Sequence, residues 1–299
     1  MMRPSAVRGI LSLRSCQSIR QQHGTLSLSS RSTSRMLATK NQSILLRDDS
    51  PGGIATLTLN RPAQYNALSG DMLTELQAAL DTISRDDSVR VVIIAASGKA
   101  FCPGHDLQEM RSSEDREFHQ ALFHRCSKMM LTLHQLPQPV IAQVHGIATA
   151  AGCQLVANCD LAVAANGARF AVSGINLGLF CSTPAVALSR NIGRKQAMQM
   201  LLTGDFISAH TAQQYGLVNE VVPTKELEPA TMALAQKIAT KSAHAIKLGK
   251  ETFYRQLPME LSDAYVYTAE RMACNMDSHD AREGFDAFVE KRKPVWKGR

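Results

Sequence analysis

Residues 139–160, PVIAQVHGIATAAGCQLVANCD, are where this chain looks most able to do chemistry. A buried strand at 139–144 breaks at His145-Gly146, then runs through the small residues 148–152 into an apolar helix. Strand, small-residue turn and helix start together make a place where backbone N–H groups face a ligand. Two such donors, held about 2.7–3.1 Å from a developing oxyanion, are what an enolate or tetrahedral intermediate requires. Residues 97–107, SGKAFCPGHDL, form a second loop leading into a helix. Gln154 stands one turn inside the first helix, where acid–base chemistry would place a carboxylate.

The elements that must position these loops follow from apolar periodicity. Residues 53–59 alternate as a strand and stop at Asn60-Arg61-Pro62. Ser69 caps a helix whose Met72, Leu73, Leu76, Ala79, Leu80 and Ile83 share one face. Residues 89–95 are an unbroken β-branched run, a strand buried on both faces. Short strands follow at 161–165 and 169–172, then helices from Pro184 and Lys195 and a last strand at 218–223. Everything from about Leu227 reads helical. The recurring order of strand, strand, helix predicts an α/β fold of two roughly perpendicular sheets flanked by helices. A Rossmann-type sheet is the competing arrangement, but its glycine fingerprint is missing.

Composition narrows the function classes. Seven of the 33 Lys and Arg lie in residues 1–40, which contain no Asp or Glu, leaving 26 basic against 26 acidic residues beyond. The net charge of +7 is therefore carried by the N-terminal segment, and the neutral remainder argues against nucleic acid as partner. That segment is Arg- and Ser-rich and acid-free, the composition of a mitochondrial transit peptide, so matrix localisation and removal on import are expected. No run of 18 apolar residues suggests a membrane span. Seven cysteines show no CxxC pair and no metal-ligand spacing with histidine, which fits a reducing compartment and predicts no metal. HExxH, P-loop and GxGxxG motifs are absent, so neither a metal nor a nucleotide cofactor is expected.

With these elements in place, the motifs resemble the crotonase superfamily, the enoyl-CoA hydratases and isomerases. They are Arg61-Pro62, Asn66-Ala67-Leu68-Ser69, the Phe101 to Asp106 loop, the 139–152 stretch, Cys159-Asp160, Leu202-Thr203-Gly204 and Ala212 with Gly216-Leu217-Val218. Arg282-Glu283-Gly284-Phe285 and the basic run Glu290-Lys291-Arg292-Lys293 continue the similarity to the C-terminus. The resemblance implies a crotonase core over 41–226 and a helical assembly region over 227–299, with a homotrimer or homohexamer expected. There Ala233, Leu234, Ile238, Ala245 and Ile246 recur at helical spacing and call for a partner surface. The ligand it implies is an acyl-CoA thioester, held as substrate or ligand with no further cofactor. Its oxygen would sit between the N–H of His105 and that of Ala151, with Gly152 alongside. Ala67, Leu68, Asp106 and Leu107 would hold the CoA, and Lys291 and Lys293 would meet its phosphate. Where the family has a lysine before the Asn-Ala-Leu motif, this chain has Ala63-Gln64-Tyr65.

The resemblance also explains the puzzle at Gln154. Hydratases of this family carry a glutamate there and a second one at the position of Gly174. Water addition needs a base to activate water and an acid to deliver a proton. An amide does not titrate near neutrality and glycine has no side chain, so both roles are vacant. Among the remaining polar residues of the expected pocket (His105, Ser173, Asn176, Cys181, Ser182), only His105 titrates near neutrality. Its ring is free to point into the pocket or away from it. Cys181 has no base beside it in sequence, His119 and His124 do not share a helix face, and Asp106 and Asp160 read as structural. Two functions follow from different classes. One is a fatty-acid-metabolism enzyme relying on its oxyanion hole alone, as a lyase, isomerase or hydrolase. The other is a silent acyl-CoA sensor or modulatory subunit of an active paralogue.

Overall fold

The structure, a computed structural model, describes residues 43–299, so the expected transit peptide lies outside the described residues. The chain begins with β1 (Leu45–Ser50), β2 (Ile54–Leu59) and α1 (Gly70–Ile83). Next come β3 (Val91–Ala96), β4 (Ala100–Cys102), α2 (Leu107–Arg111) and α3 (Arg116–Gln135). The central units are β5 (Val140–Val144), β6 (Ile147–Thr149), α4 (Ala151–Asn158), β7 (Leu161–Ala165), β8 (Arg169–Ala171) and α5 (Ser182–Asn191). Then follow α6 (Arg194–Thr203), β9 (Ile207–Ser208), α7 (Ala209–Tyr215) and β10 (Glu220–Val222). Four helices close the chain: α8 (Leu227–Ala239), α9 (Ala243–Gln256), α10 (Leu261–Met276) and α11 (His279–Val289).

These strands form a six-stranded sheet, β1-β2-β3-β5-β7-β10, and a four-stranded sheet, β4-β6-β8-β9. The larger sheet is parallel apart from the β1–β2 pair. Each of the pairs β3/β4, β5/β6 and β7/β8 gives its first strand to the large sheet and its second to the small one. This is the expected recurring unit. It has one consequence for the site: β4 and β6 lie side by side in parallel, with Cys102 opposite Ala148, so the loops that leave them are neighbours.

Two apolar layers hold the large sheet. Val92 and Ile94 face a core shared with α1, α3 and α4, while Val91 and Ile93 face the opposite layer under α8. The β-branched run therefore is buried on both faces, as its composition requires. Ser69 caps α1 by accepting from the Met72 N–H at 3.2 Å, and Met72, Leu73, Leu76, Leu80 and Ile83 are fully buried. Replacing any one of these by alanine would cost about 2–5 kcal/mol.

One expectation about the helical region needs correction. Leu234 and Ile238 of α8 pack against the outer face of the large sheet, so their partner surface lies in the same chain. Ala233 and Ala245 are exposed and Ile246 is half-buried. The exposed apolar residues lie further on, in α10 and α11, where Leu261, Val266, Phe288 and Val289 are 74, 68, 84 and 78% exposed. Among the described residues, no helix is long and apolar enough to cross a membrane.

Candidate active site

The loop after β4 reaches Gly104, which adopts φ +102°, a left-handed backbone that an L side chain would strain. A Cβ placed there would lie 3.0 Å from the Ala150 Cβ and 3.1 Å from the Ala151 nitrogen. Glycine thus lets the first loop close onto the second. The Leu68 N–H donates to the Gly104 carbonyl at 2.8 Å, and the Asp106 N–H donates back to the Leu68 carbonyl at 3.4 Å. Those two bonds leave the His105 N–H between them without an acceptor among the described residues. The Asp106 carboxylate caps α2, accepting from the N–H groups of Gln108 and Glu109, and pairs with Arg61 at 3.5 Å.

The loop after β6 turns at Ala150, which also sits at positive φ (49°) although it is not glycine. Such a conformation costs about 1–3 kcal/mol and persists only where its surroundings enforce it. Here the Ala150 N–H is tied to the Ala171 carbonyl at 3.1 Å. Helix α4 then starts with no side-chain cap, and its first intrahelical bond runs from the Gln154 N–H to the Ala150 carbonyl at 3.0 Å. The N–H of Ala151 therefore points out of the helix start with no acceptor among the described residues, and with the positive end of the dipole behind it. Gly152 lies directly under β4: a Cβ on it would collide with the Cys102 carbonyl. Two backbone N–H groups without acceptors among the described residues, those of His105 and Ala151, thus lie on the two loops that meet at Gly104 and the start of α4.

The structure brings the other sequence candidates to the same region, with different contributions. Gln154 is buried, and its Oε1 finds no hydrogen-bond partner among the described residues. Gly174 lies in the short helical turn Ser173–Leu177, where a Cβ would meet the Cys181 Sγ and the Leu179 carbonyl, each at 2.7 Å. The space where a second carboxylate would begin is thus filled by the thiol and by backbone. Ser173 exchanges its hydroxyl with Thr149, at 2.9 Å. Burial pushes the Cys181 thiol up, so at neutral pH it stays protonated and a poor nucleophile.

His105 places its ring against α3. The imidazole packs edge-on against Phe123 of α3, with ring centres 5.4 Å apart. Both ring nitrogens are buried, and burial pushes the pKa down against the Leu68 backbone and the Glu109 charge, which hold it up, keeping the ring neutral at pH 7. His119 is spent on the Met110 carbonyl at 2.9 Å. Of the residues expected to hold CoA, Ala67 and Leu68 are buried with their backbone N–H and C=O groups already hydrogen-bonded, whereas Leu107 is 55% exposed. Lys291 and Lys293 are exposed beyond the end of α11. Among the described residues no group of three His, Cys, Asp or Glu side chains is placed to hold a metal ion.

Sequence reading placed Asp160 as structural but missed its partners. Its carboxylate accepts from the Lys250 Nζ at 2.6 Å, the Tyr254 hydroxyl at 2.8 Å and the Val140 N–H at 2.7 Å. Lys250 also donates to the Leu133 and Gln138 carbonyls, and Tyr254 stacks on His134 at 4.2 Å. Burial pushes the Lys250 ammonium down while the Asp160 charge holds it up. Lys250 and Tyr254 stand four apart on α9, a spacing that puts both on one helix face. That spacing was the available signal.

Comparison with known proteins agrees with the motifs. The family model for enoyl-CoA hydratase/isomerase matches residues 49–299. The Xenopus laevis protein named "Enoyl-CoA hydratase domain-containing protein 3, mitochondrial" is 49% identical over 244 residues, covering 82% of this chain and 83% of its own length. The crystal structure of an enoyl-CoA hydratase from Mycobacterium smegmatis superposes with a TM-score of 0.84 at 56% identity, covering 85% of this chain and 99% of that one. The crystal structure of human enoyl Coenzyme A hydratase domain-containing protein 3 superposes with a TM-score of 0.83 at 46% identity, covering 85% and 100%. With a crotonase fold, the motifs in order and relatives of this likeness, the chain belongs to the enoyl-CoA hydratase/isomerase family and is of its mitochondrial type.

Proposed function

We propose that this protein binds acyl-CoA thioesters in mitochondrial lipid metabolism, keeps the oxyanion hole, and lacks the acid–base pair needed for efficient hydration. The observation that carries this reading is the approach of Gly104, the residue before His105, to the uncapped start of α4, where a Cβ on Gly104 would lie 3.1 Å from the Ala151 nitrogen. A thioester oxygen held there gains electrostatic stabilisation, about 3 kcal/mol per donor, as charge develops on it. Gln154 can orient a water or a ligand group but cannot take its proton, and Gly174 has no side chain to contribute. Chemistry that needs only a stabilised enolate or oxyanion remains open: thioester hydrolysis, decarboxylation or isomerisation.

In this reading, the CoA lies along Ala67 and Leu68 and the loop at Asp106 and Leu107. Lys291 and Lys293 would reach its phosphate across a subunit boundary. Assembly into a homotrimer or homohexamer is supported by the exposed apolar residues of α10 and α11. The Arg- and Ser-rich segment 1–40 would be removed on import. Turnover measured on a panel of acyl-CoA thioesters tests the proposal. Slow conversion of at least one thioester is expected, lost when Gly104→Val closes the hole.

A second reading, a silent acyl-CoA sensor or a modulatory subunit, is favoured by the neutral, inward-facing His105 ring. It leaves no obvious proton carrier. Saturable binding without turnover of any thioester would select this reading.

A further inference from the structure

The two backbone donors of the site depend on α3 and α4, and the far ends of both helices meet one buried ammonium group. Helix α4 has no side-chain cap at its start, so nothing there fixes where it begins. Its other end is tied down. Asp160, the second residue beyond α4, accepts from the Lys250 Nζ at 2.6 Å, the Tyr254 hydroxyl at 2.8 Å and the Val140 N–H at 2.7 Å. An eight-residue helix is a stiff rod about 12 Å long, so a restraint at one end sets the position of the other.

The same ammonium closes α3. The residue four beyond Leu133 is Pro137, which has no N–H, so the Leu133 carbonyl cannot be met by the chain that follows it. Lys250 donates to that carbonyl at 2.8 Å and to the Gln138 carbonyl, on the way into β5, at 2.9 Å. All three N–H donors of the lysine are thus engaged, on three separate elements. Tyr254 adds a second link to α3 by stacking on His134, with ring centres 4.2 Å apart. Helix α3 also carries Phe123, the ring against which His105 packs. One side of the hole is therefore held by α3 and the other by α4. A buried ion pair is a weak source of stability, because desolvation offsets the attraction. A fully bonded one in low dielectric does fix geometry.

We propose that Lys250, together with Tyr254, is a positioning residue of the oxyanion hole: by joining the ends of α3 and α4 it sets the spacing of the His105 and Ala151 N–H groups. This rests on the oxyanion-hole reading of the site. Both side chains act through the helices, from the ends remote from the hole. Donors displaced by about 1 Å no longer reach one oxygen together.

Equilibrium binding of butyryl-CoA and of its thioether S-butyl-CoA, which lacks only the carbonyl oxygen, reads the hole apart from the rest of the site. The wild type should prefer the thioester by about tenfold. Asp160→Asn with Lys250→Met cuts the tie without stranding a charge, and should bring that ratio within about twofold while S-butyl-CoA affinity stays unchanged. A tenfold ratio kept by the folded double variant, including one in which both ligands weaken alike, would overturn the positioning role and leave the hole intact. Equal binding of the two ligands by the wild type would remove the hole, and the positioning role with it. Thermal unfolding checks the double variant. Should it fail to fold, Tyr254→Phe decides, since it breaks one bond to Asp160 and keeps the stacking on His134. It should lower the ratio about threefold, and an unchanged ratio would overturn the proposal.

Discussion

Two buried polar clusters in this molecule are built to opposite rules. Around Asp160 the acceptors are spent on Lys250, Tyr254 and the Val140 N–H, and the lysine has further carbonyls to bond. Around α4 the Ala151 N–H and the Gln154 Oε1 have no partner among the described residues. A closed network in low dielectric rigidifies, and it can tie α9 to strands about a hundred residues earlier. An open one carries unmet cost until something binds. Charge burial alone would have pointed to the wrong cluster, since the Lys250–Asp160 pair is the more deeply buried and the open groups around α4 are uncharged.

Breaking the closed cluster should give the largest effect. Asp160→Ala leaves the Lys250 cation buried and unpaired, with the lysine side chain only 7% exposed, and should cost about 3–5 kcal/mol. In a chain of this size that lowers Tm by roughly 10 °C. The paired change Asp160→Asn with Lys250→Met should cost less than Asp160→Ala alone, because no charge is stranded. If Asp160→Ala unfolds within a degree of wild type, the contrast between the clusters does not hold.

Next in size is the contact that brings the two loops together. Gly152→Ala puts a methyl group against the Cys102 carbonyl, so α4 must shift away from β4. Overpacking of this kind costs about 1–3 kcal/mol. Acyl-CoA affinity should fall further than stability does, because the donors part. Calorimetric titration beside thermal unfolding separates the two effects.

Refilling the vacant acid–base positions should do less, for a reason the structure supplies. Gly174→Glu is opposed by the Cys181 Sγ and the Leu179 carbonyl and not by backbone angle, since Gly174 is not among the residues at positive φ. Gln154→Glu alone should leave crotonyl-CoA hydration near background. Together with Gly174→Glu it should exceed the sum of the single changes only if the 173–181 turn yields, by up to about 10²–10⁴-fold. Adding Cys181→Ala removes one of the two obstacles and should raise the gain.

The smallest effect is a pH dependence. Because burial lowers the His105 pKa below its ordinary 6.5, the folded protein takes up its proton later than the unfolded chain does. Stability owed to the neutral ring is complete above pH 6.5 and is lost as pH falls through 6.5 towards the folded value. His105→Phe, which keeps the edge packing on Phe123, should flatten that part of a stability-against-pH curve. Parallel curves for the two proteins would show that the ring is not buried in solution.

How much of this was legible beforehand varies with the range of the interactions. The Ser69 cap, the α1 face and the doubly buried β3 are set by neighbours within a few residues, and all were readable. The strands β4, β6 and β9 span three residues or two, too few to show a period, so β4 and β6 were read as loop. The charged pair Asp48-Asp49 hides β1, an edge strand whose exposed face tolerates charge. At the site, the glycines and the turn-to-helix pattern were visible, while the inward turn of the His105 ring was not. That turn depends on Phe123, and Lys250 depends on Asp160, contacts that no local pattern encodes.

The central claim is an acyl-CoA site with its oxyanion hole intact and its acid–base pair gone. Steady-state hydration of crotonyl-CoA, measured where butyryl-CoA binding shows the site to be formed, tests it most directly. Losing general acid–base catalysis costs about 10²–10⁴-fold, against typical turnover near ~10 per second. The account predicts saturable binding with hydration below roughly 0.1 per second, a hundredfold under that typical rate. Hydration at tens per second by the wild-type chain would contradict it and would mean that another group, His105 first, carries the proton.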